Sequence, residues 1–275
     1  MTLITEPKID CHLHLLDPAR FPYRADTPYR PEGAEIGTLA QMNAVFDANG
    51  VKKALLVQPS SGYGPDNSAM LDAIKQSAGI WRGIAVVGAD VTFDDLKALK
   101  AQGVVGVAYI LAMHEPGHYK AFAPVTEMLA DLDMIMDIQF EGDGVFEALE
   151  VIGNAPVRVV IDHSGRPDLN KGTRGDAFRA LLKLADRDGE TVMKLSGQHK
   201  FAPFPWPFEA ADPFMMDLIS AYSPDRCVWG SDWPFLRVPE RVDYGPLLPL
   251  LARYLPDEDD RAKVFFETAE RVFWG

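Results

Sequence analysis

The chain has 275 residues, 47% of them hydrophobic and 24% charged, which suits a globular protein with a sizeable core. A formal net charge of −13 argues against nucleic acid or anionic membrane as the main partner, although a few local arginines can still hold an anionic substrate. No apolar run reaches the roughly 18 residues of a membrane span, and the opening MTLITEPKID is too polar for a secretory leader, so a soluble, cytoplasmic protein is expected.

Short apolar runs recur along the chain at 9–15, 54–58, 83–87, 104–110, 134–140, 157–161, 191–195 and 227–230. Most read as strands covered on both faces, as in a parallel sheet. Helical patterns lie between them. Residues 36–49 stop at Gly50, a good left-handed helix end. Asp66 is placed to cap a helix to about Ser77, and Thr92 one to about Ala101. Segments 122–132, 144–152 and 176–187 look alike, and Asp212 before Pro213 resembles an N-cap and first helical residue. Residues 244–254 and 258–272 are helical again. No linker or repeat divides the chain, so residues 1–275 are read as a single domain.

These strand-helix units most economically close into a single (β/α)8 TIM barrel. An open doubly wound sheet would usually announce a Gly-rich turn after its first strand, and LLDPARFPY follows here instead. The long first connection, about 16–35, is rich in Pro, Arg and Tyr and reads as an ordered flap near the mouth. Cys11 and Cys227 sit in apolar runs and read as reduced core residues.

In a barrel the active site lies at the C-terminal ends of the strands. Strand one ends with His12 and His14, which are two apart and so share a face. Strand two ends with Gln58, Ser60 and Ser61, and strand five with Gln139 and Glu141. Strand six ends with Asp162, His163, Ser164 and Arg166; strand seven with Lys194 and Ser196, then Gln198, His199 and Lys200; strand eight with Ser231 and Asp232. Alone, an H-x-H pair is weak evidence, and His163 or Asp232 can simply cap a strand or helix. Gathered on one rim, those separate readings require several coincidences. His114 and His118 have i, i+4 spacing, but Pro116 disfavours a helix across them, and they read as surface.

With these residues in hand, the chain resembles the amidohydrolase superfamily, in the branch that contains the 2-pyrone-4,6-dicarboxylate lactonases. The resemblance runs through IDCHLHLLDP at 9–18, LLVQPSSGYGPDN at 55–67, VVIDHSGRPDL at 159–169, MKLSG at 193–197 and WGSDWP at 229–234. It implies a barrel that hydrolyses a cyclic ester, with His12, His14, His163 and Asp232 matching the family's catalytic positions. Metal-dependent members commonly add a histidine at the end of strand five, where this chain has Gln139. The resemblance therefore implies a lactonase with no cofactor; the alternative is a zinc-dependent hydrolase or decarboxylase with one ion at His12, His14 and Asp232.

The chemistry then expected is a water activated by Asp232 and a lactone carbonyl polarised by His12, His14 and His163. Arg166 is placed to pair with a substrate carboxylate, helped by Ser60, Ser61, Tyr109, Gln139 and Lys200, with Arg24 and Arg30 on the first loop. Pyrone lactonases usually carry an arginine in the strand-four motif, where Ala108 and Tyr109 stand here. That departure leaves room for a monocarboxylated, sulfonated or neutral lactone. The partner expected is thus a small-molecule lactone, and no pattern announces an oligomer.

Overall fold

A computed structural model describes residues 2–275. Among these residues, eight parallel strands form one sheet in sequence order. They are β1 (Lys8–Leu13), β2 (Val51–Val57), β3 (Trp81–Ala85), β4 (Val104–Ile110), β5 (Ile135–Gln139), β6 (Arg158–Ile161), β7 (Thr191–Leu195) and β8 (Cys227–Trp229). First and last strands meet just beyond β8: Asp232 N–H donates to His12 O at 2.7 Å and His14 N–H to Trp233 O at 2.8 Å. The sheet thereby curls into the expected (β/α)8 barrel.

Helices α1 (Leu39–Asn49), α2 (Ser68–Gln76), α3 (Phe93–Ala101), α4 (Ala123–Asp131), α5 (Gly144–Ile152) and α6 (Asp176–Lys183) alternate with the first strands. A short α7 (Gln198–Phe201), then α8 (Asp212–Tyr222) and α9 (Leu247–Tyr254), follow β7 and β8. A last helical run, 258–273, contains a π turn at Lys263–Glu267. Local chemistry explains several ends. Thr38 and Thr92 form capping boxes with Gln41 and Asp95, and Gly50 ends α1 at φ 72°. Asp212 is not an N-cap as expected. It is the first residue of α8, because the turn Glu209–Ala211 runs into the helix, and its carboxylate accepts from Tyr254 Oη at 2.9 Å.

Alternation along the strands sorts side chains into two layers. Ile9, Cys11, Val57, Ile84, Ile135, Val160, Val192 and Val228 fill the barrel, closed below by Val272 and Phe273 of the last helix. Leu56, Val107, Ile138, Ile161 and Leu195 face outward, among Met42, Leu96, Leu129 and Leu181 of the surrounding helices.

The parity changes once on β1, and this positions the site. Ile9 and Cys11 lie in the inner cluster, Leu13 in the outer one. Between them the pairing slips: Asp10 faces Ala54, but Leu13 faces Leu56. A bulge of this kind re-aims the side chains beyond it. Here it turns His12 and then His14 into the barrel mouth.

Candidate active site at the barrel mouth

A cavity of about 460 Å³ opens at the C-terminal ends of the strands. That is enough for a small ligand. It is bordered by His12, His14, Ser60, Ser61, Gln139, Asp162, His163, Arg166, His199, Lys200 and Asp232, with Ala108, Ile110 and Met113 as an apolar wall. A larger cleft, about 730 Å³, lies at the opposite end near Arg82, Arg158 and Trp274, but neither histidine nor cysteine borders it.

Asp232 is the centre of the mouth. It is 1% exposed and holds φ at +64°, a strained conformation of the kind found at functional sites. One carboxylate oxygen, Oδ2, accepts from His199 Nε2 at 2.9 Å and lies 3.2 Å from Lys200 Nζ. The other, Oδ1, faces three ring nitrogens: His14 Nε2 at 3.4 Å, His12 Nε2 at 3.8 Å and His163 Nε2 at 3.9 Å. Burial alone would raise the Asp232 pKa. The Lys200 and His163 charges, the adjacent His14 ring and the hydrogen bond from His199 reverse that and hold it well below the usual carboxylate range. Asp232 is therefore ionised at neutral pH.

Each histidine is oriented from behind. His14 Nδ1 lies 2.8 Å from Val57 O, a carbonyl that can only accept, so this nitrogen carries a proton. His163 Nδ1 meets Ser196 Oγ at 3.2 Å, and His12 Nδ1 meets Asp162 Oδ1 at 3.1 Å. Burial lowers the pKa of both: His12 is partly restored by Asp162, whereas His163 is pushed well below its ordinary value, with His12 adding to the effect. Two glycines let the rings come close. A Cβ on Gly197 would stand 2.6 Å from His163 Cβ, and one on Gly230 would stand 2.7 Å from His12 Cβ.

The donor set also suits a cation. His12, His14 and Asp232 offer ligand atoms within 4.8 Å of one another, as do His12, Asp162 and His163. The proton on His14 Nδ1 leaves a lone pair on Nε2 of the neutral ring, as a metal ligand needs. Three such protein ligands fit an open divalent site, and an ion held there would supply Lewis acidity toward a carbonyl oxygen.

The remaining expected residues divide. Arg166 reaches the mouth, where it pairs with Glu141 at 2.8 Å, and its buried Nε has no hydrogen-bond partner. Ser60, Ser61 and Gln139 border the cavity as expected. Lys200 does too, but its ammonium is engaged by Asp232 and by Leu236 O, so it acts on the carboxylate before it can act on a ligand. Tyr109 does not reach the mouth. It faces outward between the inward Ala108 and Ile110, and its hydroxyl bonds Thr126 Oγ1 of α4 at 3.0 Å. Arg24 and Arg30 sit on the first loop away from the cavity: Arg24 pairs with Asp26 at 2.7 Å, and Arg30 donates to the carbonyls of Arg24 and Ala25. The loop itself is anchored as a flap by Arg24 N–H to Gly62 O and by Tyr23 against Tyr63. His114 and His118 stack on each other at 4.0 Å, away from Asp232.

Sequence reasoning left the role of His199 open, and it gave no part to Asp137 or Lys194. Lys194 is wholly buried on the inner face of β7, with Asp137 Oδ2 at 2.9 Å and Asp162 Oδ1 at 2.8 Å. The available signal was parity: Lys194 follows Val192, and Asp137 follows Ile135, at spacing two along strands whose other inward residues are apolar.

Comparison with known proteins finds relatives over nearly the whole chain. The 4-sulfomuconolactone hydrolase of Rhizobium radiobacter is 32% identical over 271 residues, covering 96% of this chain and 89% of that protein. A 2-pyrone-4,6-dicarboxylate hydrolase of Comamonas testosteroni is 28% identical over 283 residues, covering 97% and 90%. Among solved structures, a probable 2-pyrone-4,6-dicarboxylic acid hydrolase from Acinetobacter baumannii shares the fold, with a TM-score of 0.87 at 24% identity and coverage of 98% and 99%. The amidohydrolase family model matches residues 9–274. The chain belongs to the amidohydrolase family.

Proposed function

We propose that this protein is a lactone hydrolase that opens a small anionic lactone without a metal ion. The observation that carries the reading is the buried, ionised Asp232 with one oxygen anchored by His199 and Lys200 and the other turned toward three histidines. The long alignments with a sulfomuconolactone hydrolase and a pyrone-dicarboxylate hydrolase support lactone opening over decarboxylation. Both names describe anionic lactones, and Arg166 is the cation at the mouth best suited to such a group.

Chemically, Oδ1 of Asp232 takes a proton from a water that attacks the lactone carbonyl. Asp232 is a weak base, so position must do much of the work. As the carbonyl oxygen gains charge, N–H groups at Nε2 of His12, His14 and His163 stabilise it. For His14 that donor exists only in the doubly protonated ring, whose counter-charge is the facing Asp232; for His12 it exists in that form too, or in the neutral tautomer whose Nδ1 accepts from Lys194. Collapse of the tetrahedral intermediate breaks the ring C–O bond, and Asp232 returns its proton to the leaving oxygen. Ala108, Ile110 and Met113 offer the ring an apolar wall. Metal independence is supported by Gln139 at the end of β5 and by Lys200, which already compensates the Asp232 charge at 3.2 Å.

A panel of carboxylated, sulfonated and neutral lactones tests this reading. The expected outcome is hydrolysis of at least one anionic lactone by the wild-type protein and none by Asp232→Asn. A panel on which nothing is hydrolysed, or on which Asp232→Asn matches the wild type, contradicts it.

A further inference from the structure

Beneath the mouth lies a charged cluster that the chemistry above does not use. Lys194 on β7 is 0% exposed and Asp137 on β5 is 1% exposed. Lys194 Nζ lies 2.9 Å from Asp137 Oδ2, 2.8 Å from Asp162 Oδ1 just past β6 and 3.3 Å from His12 Nδ1 on β1. Charges from several strands thus meet in the barrel interior. Such burial is not a route to stability, since apolar side chains of similar volume usually do as well or better. One layer down, the barrel does use apolar side chains: Ile135, Val160 and Val192 occupy the preceding inward positions on the same three strands.

The cluster converges on one atom. His12 Nδ1 has an acceptor, Asp162 Oδ1, at 3.1 Å and a donor, Lys194 Nζ, at 3.3 Å. Either tautomer of the ring therefore finds a partner at Nδ1. A ring flipped about Cβ–Cγ would put carbon there and lose both. With Nδ1 held from below, Nε2 is the nitrogen that faces Asp232 Oδ1, 3.8 Å away. Lys194 is itself held by Asp137, whose Oδ2 and Oδ1 lie 2.9 Å and 2.8 Å from its Nζ. The His163 ring, 4.3 Å from that of His12, and the buried Cys11 complete the surroundings.

We propose that Asp162, Lys194 and Asp137 are positioning residues that lock the His12 ring so that Nε2 is the atom presented to the reacting carbonyl. Asp162 contacts the ring, Lys194 contacts both, and Asp137 holds Lys194. The kinetic arm of the test rests on the lactonase reading; a spectroscopic arm does not.

Two variants separate positioning from a structural role. Asp162→Asn keeps the shape but replaces the ionised acceptor by an amide. Asp137→Asn combined with Lys194→Met removes the Lys194 ammonium and the carboxyl group that holds it, at nearly constant volume. On a lactone opened by the wild type, each is expected to lower kcat about 10- to 100-fold with KM unchanged, the usual scale for outer partners of a functional histidine. In the free protein, the ¹⁵N resonances of the His12 ring are expected to shift in both variants while those of His14 stay in place. Wild-type kcat in Asp162→Asn together with unmoved His12 resonances overturns the proposal, whether or not the paired variant folds. A wild-type protein that opens no lactone contradicts the proposed function instead, and the ring resonances still decide the positioning claim.

Discussion

The lower part of the barrel interior and its mouth are built from the same strands with opposite materials. Below, Ile9, Ile135, Val160, Val192 and Val228 pack against one another and against Val272 and Phe273. Above, toward the strand ends, the interior holds Asp137, Asp162, Lys194, His12 and Asp232, nearly as buried. The lower layer follows the ordinary rule that apolar burial drives folding. The upper layer breaks that rule, and its ions are paired and mutually tuned. Burial pushes Asp137 up to about 8, with Asp162 adding to it, whereas Asp162 is drawn well below the usual range because His12 and Lys194 outweigh its own burial. Burial would lower Lys194, but Asp137 and Asp162 more than offset that. On the proposed function, stability resides in one layer and chemistry in the other.

Mutations chosen on the two sides test this division. At the mouth, His163→Gln removes a carbonyl-facing donor and is expected to reduce turnover about 100- to 1,000-fold, with thermal stability held. Steady-state kinetics with a melting curve on the same sample check it. Arg166→Gln is expected to raise KM for an anionic lactone about 10- to 100-fold, the value of one charged hydrogen bond, with kcat nearly constant. An unchanged KM would remove Arg166 from substrate binding. In the lower layer, Ile135→Val is expected to lose about 0.5–1.5 kcal/mol of stability while kcat stays put, as measured by urea unfolding and turnover.

A smaller effect comes from Asp10, buried beside the mouth. Burial raises its pKa to about 6, although Ser231, Tyr244 and the His12 backbone donate to it. Its unfolded value is about 4, so the folded state holds the proton more tightly. The stability this lends is complete below that unfolded value and is lost as pH rises through about 6. Asp10→Asn should flatten the change in Tm between those limits, and an unchanged slope would show that Asp10 does not set it.

Much of this architecture was legible because the strands speak plainly. Residues 104–110 and 191–195 coincide with β4 and β7. The mouth was legible where a polar residue interrupts an apolar run, as at His12, His163 and Asp232. Legibility failed where parity could not be read. VVGVAYI is apolar on both faces, so nothing in it says that Tyr109 points outward. It failed again where a contact joins distant segments, since His199 and Asp232 are 33 residues apart and meet only because β7 and β8 are neighbours. The arginines of the first loop looked like ligand groups by composition, yet their partners, Asp26 and the loop's own carbonyls, are local.

The most direct test is hydrolysis of an anionic lactone in H₂¹⁸O by protein stripped with a chelator, with metal content measured on the same sample. The expected outcome is the rate of untreated protein and one ¹⁸O atom in the new carboxylate. Loss of activity on chelation, restored by added zinc, would contradict it.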